Sequence, residues 1–254
     1  DLFLQYIQLP RTAPYMNGDY MNQPMSLRYP ADLAADFTAF TRCSVIGNDE
    51  PLIRDYLHQL LIKAENTREF EQYLNDRYLT QRLAETKIVN GLGNPEQWYS
   101  LLPPTDYQKL RDRVDIDFAE TNRTHFAADE AVSLDVYVKN APTLIVKVFE
   151  INTTNFYRDF GREVNTDIDL DGLVANSEET IKYAEPPLRR VRRHFEFPQL
   201  SGRGTYVIDF IGNGHSSRAL IRKGQLRFVV STTPAGQKFV VFDENRKAAE
   251  SATV

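Results

Sequence analysis

Cysteine is nearly absent from this 254-residue sequence: Cys43 stands alone, so no disulfide can form within the chain. That excludes a disulfide-stapled miniprotein and leaves packing and hydrogen bonds to hold the fold. Long apolar runs are missing too. Nothing in the sequence is long and apolar enough for a bilayer-crossing helix, and no charged-then-apolar leader is written in it. Basic residues are outnumbered, 30 Lys and Arg against 35 Asp and Glu, for a formal net charge of −5. No global field therefore draws the chain to nucleic acid or to an anionic membrane.

Catalytic signatures are equally scarce. The four histidines, His58, His125, His194 and His215, are scattered and never adopt H-E-x-x-H spacing. GNGHSSR (212–218) sets His215 beside Ser216 and Ser217 but lacks G-x-S-x-G, and a glycine-rich hairpin loop accounts for it. Gly91-Leu92-Gly93 lacks the third glycine of a dinucleotide fingerprint and suits a helix end. Asp115 and Asp117 flank Ile116, a pairing too common to name a hydrolase. No active site is expected.

What the chain has is two periodicities. At 42% hydrophobic and 26% charged residues it has ordinary globular composition. Residues 1–30 read as an extended strap, because PRTAPYMNGDYMNQPMSLRYP (10–30) holds four prolines with tyrosines and all three methionines. Residues 31–112 read as a helical bundle. Leu33, Phe37 and Phe40 share a face, and Asn48 caps a helix whose stripe is Leu52, Ile53, Tyr56, Leu57, Leu60 and Leu61. Thr67 opens a longer helix that Gly91 ends, Asn94-Pro95 starts a short one, and Pro103-Pro104 precedes another capped by Thr105. From 113 to 254 the period falls to two. VSLDVYV, LIVKVFEI, HFEF, TYVIDFI, RALIR, QLRFVV and KFVVFDE predict an antiparallel β-sandwich. Lys223-Gly224 is read as a tight hairpin turn, Asn140-Ala141-Pro142 and Thr233-Pro234-Ala235-Gly236 as further turns, and residues 153–163 as room for a helix. The fold class is thus α+β: an N-terminal helical bundle followed by an antiparallel β-sandwich.

FAADEAVSLDVYVKN (126–140), with an aromatic residue, a short acidic turn and a V-x-L strand, resembles the opening of macroglobulin-type β-sandwich domains in alpha-2-macroglobulin-like proteins. APTLIVKVFEI is similar to the strand that follows there, and SGRGTYVIDFIGNGHSSRALIRKGQLRFVV to a later strand-turn-strand region. The resemblance covers the C-terminal half. It implies a macroglobulin- or immunoglobulin-like scaffold module without catalysis, in a large extracellular, cell-surface or periplasmic protein. The family's thioester motif G-C-G-E-Q is absent, so no covalent trapping is assigned.

Two stretches carry candidate chemistry. DIDLDGLVANSE (167–178) has the spacing of a twelve-residue calcium loop: Asp167, Asp169 and Asp171 as carboxylates, Gly172 at the bend, Leu173 offering its carbonyl and Glu178 binding last. Ala175 stands at position nine, Pro186-Pro187 cuts short any exiting helix, and a solvent-facing acidic turn with Ile168 and Leu170 inward fits equally. LRRVRRHFEF (188–197) concentrates Arg189, Arg190, Arg192 and Arg193. On a strand, Arg190, Arg192 and His194 share one face, as either an anion or partner contact or an arginine-guarded sheet edge. Asn122-Arg123-Thr124 and Asn152-Thr153-Thr154 match the N-glycosylation triplet and decide nothing.

The chain opens DLFLQYIQLP without Met and ends ESATV, so both ends read as cuts from a longer polypeptide. The leading expectation is a non-catalytic structural or interaction module touching neighbouring domains of its parent chain. The alternatives are a calcium-stabilised module binding glycan or protein, and an accessory domain of a larger hydrolase.

Overall fold

The computed structural model describes residues 2–5, 7, 50–71, 73–74 and 76–249. The strap at 10–30, the helical face of Leu33, Phe37 and Phe40, Cys43 and the Asn48 cap lie outside the described residues. The chain divides into two compact units, Asp1–Asp112 and Arg113–Val254.

In the first unit the described residues include helices α1 (Glu50–Leu61), α2 (Asp76–Asn90), α3 (Pro95–Ser100) and α4 (Pro104–Asp112). α1 buries Ile53, Leu57 and Leu61 completely, at i, i+4 and i+8, against Phe70, Leu74, Leu79 and Leu83. Leu52, Tyr56 and Leu60 remain about half exposed among the described residues, so the buried stripe is narrower than the sequence suggests. No single helix starts at Thr67. Phe70 and Leu74 are buried from a turn, and α2 begins only at Asp76. Gly91 at φ 62° ends α2, and the Asn94 side chain accepts from the Glu96 N–H to open α3.

The second unit is a β-sandwich. One sheet has the order β1 (Asp115–Phe118), β3 (Ser133–Lys139), β6 (Arg190–Glu196). The other has the order β2 (His125–Phe126), β8 (His215–Lys223), β7 (Gly204–Gly212), β4 (Thr143–Ile151), β5 (Ser177–Lys182). Alternation explains the layers. Leu134, Val136 and Val138 of β3, Leu144, Val146 and Val148 of β4, and Tyr206, Ile208 and Phe210 of β7 all meet in one core. The turn at Asn140-Ala141-Pro142 carries the chain from one sheet to the other. Asn213 and Gly214, both at positive φ, make the tight β7–β8 hairpin.

Two details depart from the expectation. β2 pairs with β8 in parallel, so the sandwich is not wholly antiparallel. Lys223-Gly224 is no hairpin: β8 stays in the five-stranded sheet, while β9 (Arg227–Thr233), among the described residues, pairs only with β10 (Gly236–Phe242). The Gly224 N–H is already taken by the Phe126 carbonyl, 2.8 Å away, which turns the chain out of the sheet.

Candidate functional site

The acidic loop covers the outer face of the five-stranded sheet. Helix α5 (Thr153–Phe160), capped by the Asn152 side chain and closed by Gly161 in the left-handed region, starts this cover. Phe156, Val164, Ile168 and Leu170 pack on Phe149, Val207 and Leu220 to form a second, smaller core. Burying Ile168 and Leu170 sends the intervening aspartates outward. Asp167 pairs with Arg162 at 3.1 Å, and Asp169 accepts the Asp171 N–H at 2.9 Å, an Asx turn that Gly172 completes.

Glu178 cannot return to that loop. β5 begins at Ser177, so Glu178 is fixed in the sheet opposite Lys147, with which it pairs at 3.2 Å. Leu173 closes a turn through its own N–H to the Leu170 carbonyl. Among the described residues no three His, Cys, Asp or Glu side chains are placed to hold a metal ion. The calcium-loop spacing is therefore met in sequence and not in space, because hydrophobic anchoring and strand pairing each claim part of it. Millimolar calcium is expected to leave the thermal melting of this chain unchanged. A rise that disappears in Asp167→Ala would reinstate the metal.

Beneath the loop sits Asp209, 5% exposed on the outer face of β7. It accepts from Ser216 Oγ at 2.5 Å and pairs with Arg218 at 3.4 Å. Arg218 in turn donates to the Ile168 carbonyl at 2.7 Å, so one buried carboxylate orients the arginine that pins the cover. Sequence reading missed this cluster. Its only signal was a charged residue in the otherwise apolar run TYVIDFI.

The arginine stretch forms β6, an edge strand. Arg190, Arg192 and His194 lie on the outer face, while Phe195 and Phe197 enter the core. Cross-strand register brings Arg192 opposite Tyr137 and His194 opposite Asp135. Arg192 Nη2 donates to Asp135 Oδ2 at 2.6 Å, and His194 Nδ1 lies 3.0 Å from Asp135 Oδ1. Arg190 reaches Asp117 at 3.0 Å and stacks 4.1 Å from the Tyr137 ring centre. Arg193 stacks on Tyr183 and pairs with Glu185, and the Arg189 N–H caps the Pro186 carbonyl. Sheet edge and charge ladder thus coincide.

The Arg192 guanidinium, helped by His194, holds the Asp135 carboxyl below the ordinary aspartate range. A depressed carboxylate contributes stability that is present above its unfolded pKa and lost as pH falls through its folded one. In Arg192→Ala, an NMR titration should move Asp135 upward toward the free aspartate value. An unmoved midpoint would show that the contact carries no energy.

A cleft of about 710 Å³ at one end of the sandwich is lined by Asn152, Asn176, Arg203, Arg222 and Lys223 among others. Its cations are engaged: Arg203 with Glu244, Arg222 with the Val164 carbonyl and Lys223 with the Leu200 carbonyl. It offers no open anion site.

Residues 144–224 match the family model of the AbpF first immunoglobulin-like domain. Residues 1–114 match that of the Actin-binding protein F N-terminal domain. Actin-binding protein F of Dictyostelium discoideum is 37% identical over 255 residues, covering 98% of this chain. The chain spans about 11% of that relative's length. Among solved structures, native alpha-2-macroglobulin from Escherichia coli, spanning domains MG0-NIE-MG1, is similar at TM-score 0.36 and 12% identity. That likeness covers 54% of this chain and 48% of the other, and is too distant to carry an argument. The β-sandwich expected from the sequence is supported as an immunoglobulin-like one, and the macroglobulin type is not singled out.

Proposed function

We propose that this chain is a non-catalytic protein-binding module that contributes to actin association within a longer polypeptide. The observation that carries it is the 37% identity running across 98% of the chain to a protein named for binding actin.

Within this reading, Arg189, Arg190, Arg192 and Arg193 are the proposed partner contacts. Arg192, half exposed, is the one best placed to exchange Asp135 for a carboxylate on an acidic partner. Co-sedimentation of residues 1–254 with filamentous actin tests this. Pelleting that weakens with added salt and with Arg192→Glu is expected. A chain that stays in the supernatant at micromolar actin removes the actin reading, and pelleting indifferent to Arg192→Glu removes the arginine ladder.

A further inference from the structure

The β9–β10 hairpin is exposed over most of its residues. Every residue of β9 is exposed, Phe228 at 66%, Val229 at 60% and Val230 at 40%. Register places Phe228 opposite Val241 and Val230 opposite Phe239, so these four side chains share one face of the ribbon. The rings of Phe228 and Phe239 lie 6.1 Å apart on it. A contiguous apolar face marks an interaction surface, and a two-stranded hairpin without further support is marginal in water.

The base of the hairpin is nonetheless tied down. Arg203 grips Glu244 through two nitrogens, at 2.9 and 3.0 Å, and the Ala128 N–H donates to the same carboxylate at 3.1 Å. A hydrogen bond from its own backbone N–H, together with those from Arg203 and Ala128, holds the Glu244 carboxyl down at about 2. Arg203 also lies over Gly224, where a Cβ would meet its Nη1 at 2.7 Å. The ribbon is fixed at its root, where Val240, Val241 and Phe242 are part-buried, and is exposed along β9 and the first four residues of β10.

We propose that the Phe228, Val230, Phe239 and Val241 face is an interdomain docking surface, covered by further β-strands from the polypeptide that follows it, with the Glu244 clamp setting its orientation. One apolar face on an antiparallel ribbon is half of a sandwich, which needs a second sheet packed about 10 Å away. Strands consecutive in sequence pair or neighbour about two-thirds of the time, which favours the next segment over a second copy. The relative matched along 98% of this chain is about nine times as long, since the match fills 11% of it. The proposal rests on the chain being part of a longer polypeptide, and not on actin.

Hydrogen exchange on residues 1–254, and on a chain extended by about a hundred residues of its natural continuation, tests it. Amides of 227–233 and 236–242 should slow by about tenfold or more in the extended chain alone. Phe228→Ser, or the milder Val230→Thr, should reverse that gain. Equal exchange in both chains overturns the proposal. So does a concentration-dependent dimer of 1–254 with a protected hairpin, which assigns the face to a second copy. Glu244→Gln in the extended chain should keep the hairpin protected while broadening the distances seen by small-angle scattering; an unchanged profile removes the clamp. No readout involves actin, so failure here is separable from failure of the actin reading.

Discussion

Phe210→Ala is expected to cost the sandwich about 3–5 kcal/mol, the range for emptying a buried aromatic site. Phe210 is completely buried on β7, and three rings close around it edge-on: Phe195 at 5.0 Å, Phe118 at 5.5 Å and Phe197 at 6.4 Å. Phe118 and Phe195 come from the opposite sheet, so the residue joins both layers. Edge-to-face pairs add about 0.5–1.5 kcal/mol beyond burial, and a neighbouring strand cannot collapse into the hole without breaking its ladder. Phe210→Leu keeps most of the volume and should cost clearly less. Urea unfolding is the measurement: the midpoint falls while the slope is kept. A loss under about 1 kcal/mol would mean that the aromatic cluster is not the centre of the core.

Asp209→Ala should be the next most damaging change, at about 2–3 kcal/mol. Removing one member of a buried pair costs about 3–5 kcal/mol, discounted here because the Arg218 side chain is 28% exposed. The loss has a location. Arg218, released from Asp209, no longer holds the Ile168 carbonyl, so residues 161–176 should exchange amide hydrogen and accept protease faster than the rest of the sandwich. Asp209→Asn retains an acceptor for Ser216 and should fall between wild type and alanine. Uniform acceleration over the whole sandwich would show that the cluster stabilises the fold generally rather than pinning its cover.

The sandwich strands were legible because alternation is enforced locally: Leu134, Val136 and Val138 report their face whatever the partner strand is. Strand partners were not legible. Nothing in Lys223-Gly224 shows that the Gly224 N–H is spent on Phe126, which sends β9 away from β8. The same limit governs the acidic loop. Spacing identified Asp167, Asp169, Asp171 and Glu178 as a set, but the pairing of β5 with β4 separates Glu178 from the rest. In the helices, the stripe of α1 was too wide because periodicity counts every apolar residue, and Leu52 and Leu60 are not drawn into the core. Arg190, Arg192 and His194 could be placed on one face by counting in twos, whereas their carboxylate partners Asp117 and Asp135 lie more than fifty positions away and only the register brings them near.

The short parallel pairing of β2 with β8 bears on how the sandwich would carry tension. β2 lies near the unit's entry and β8 leads into the β9–β10 hairpin, so a pull carried along β2 and β8 in opposite senses slides these neighbours past each other instead of peeling them apart. In that shearing mode the Arg222–Thr124 and Gly224–Phe126 bonds, both 2.8 Å, are strained together. Two residues make a small latch, one that would yield first and leave the remaining strands of the layer to extend later.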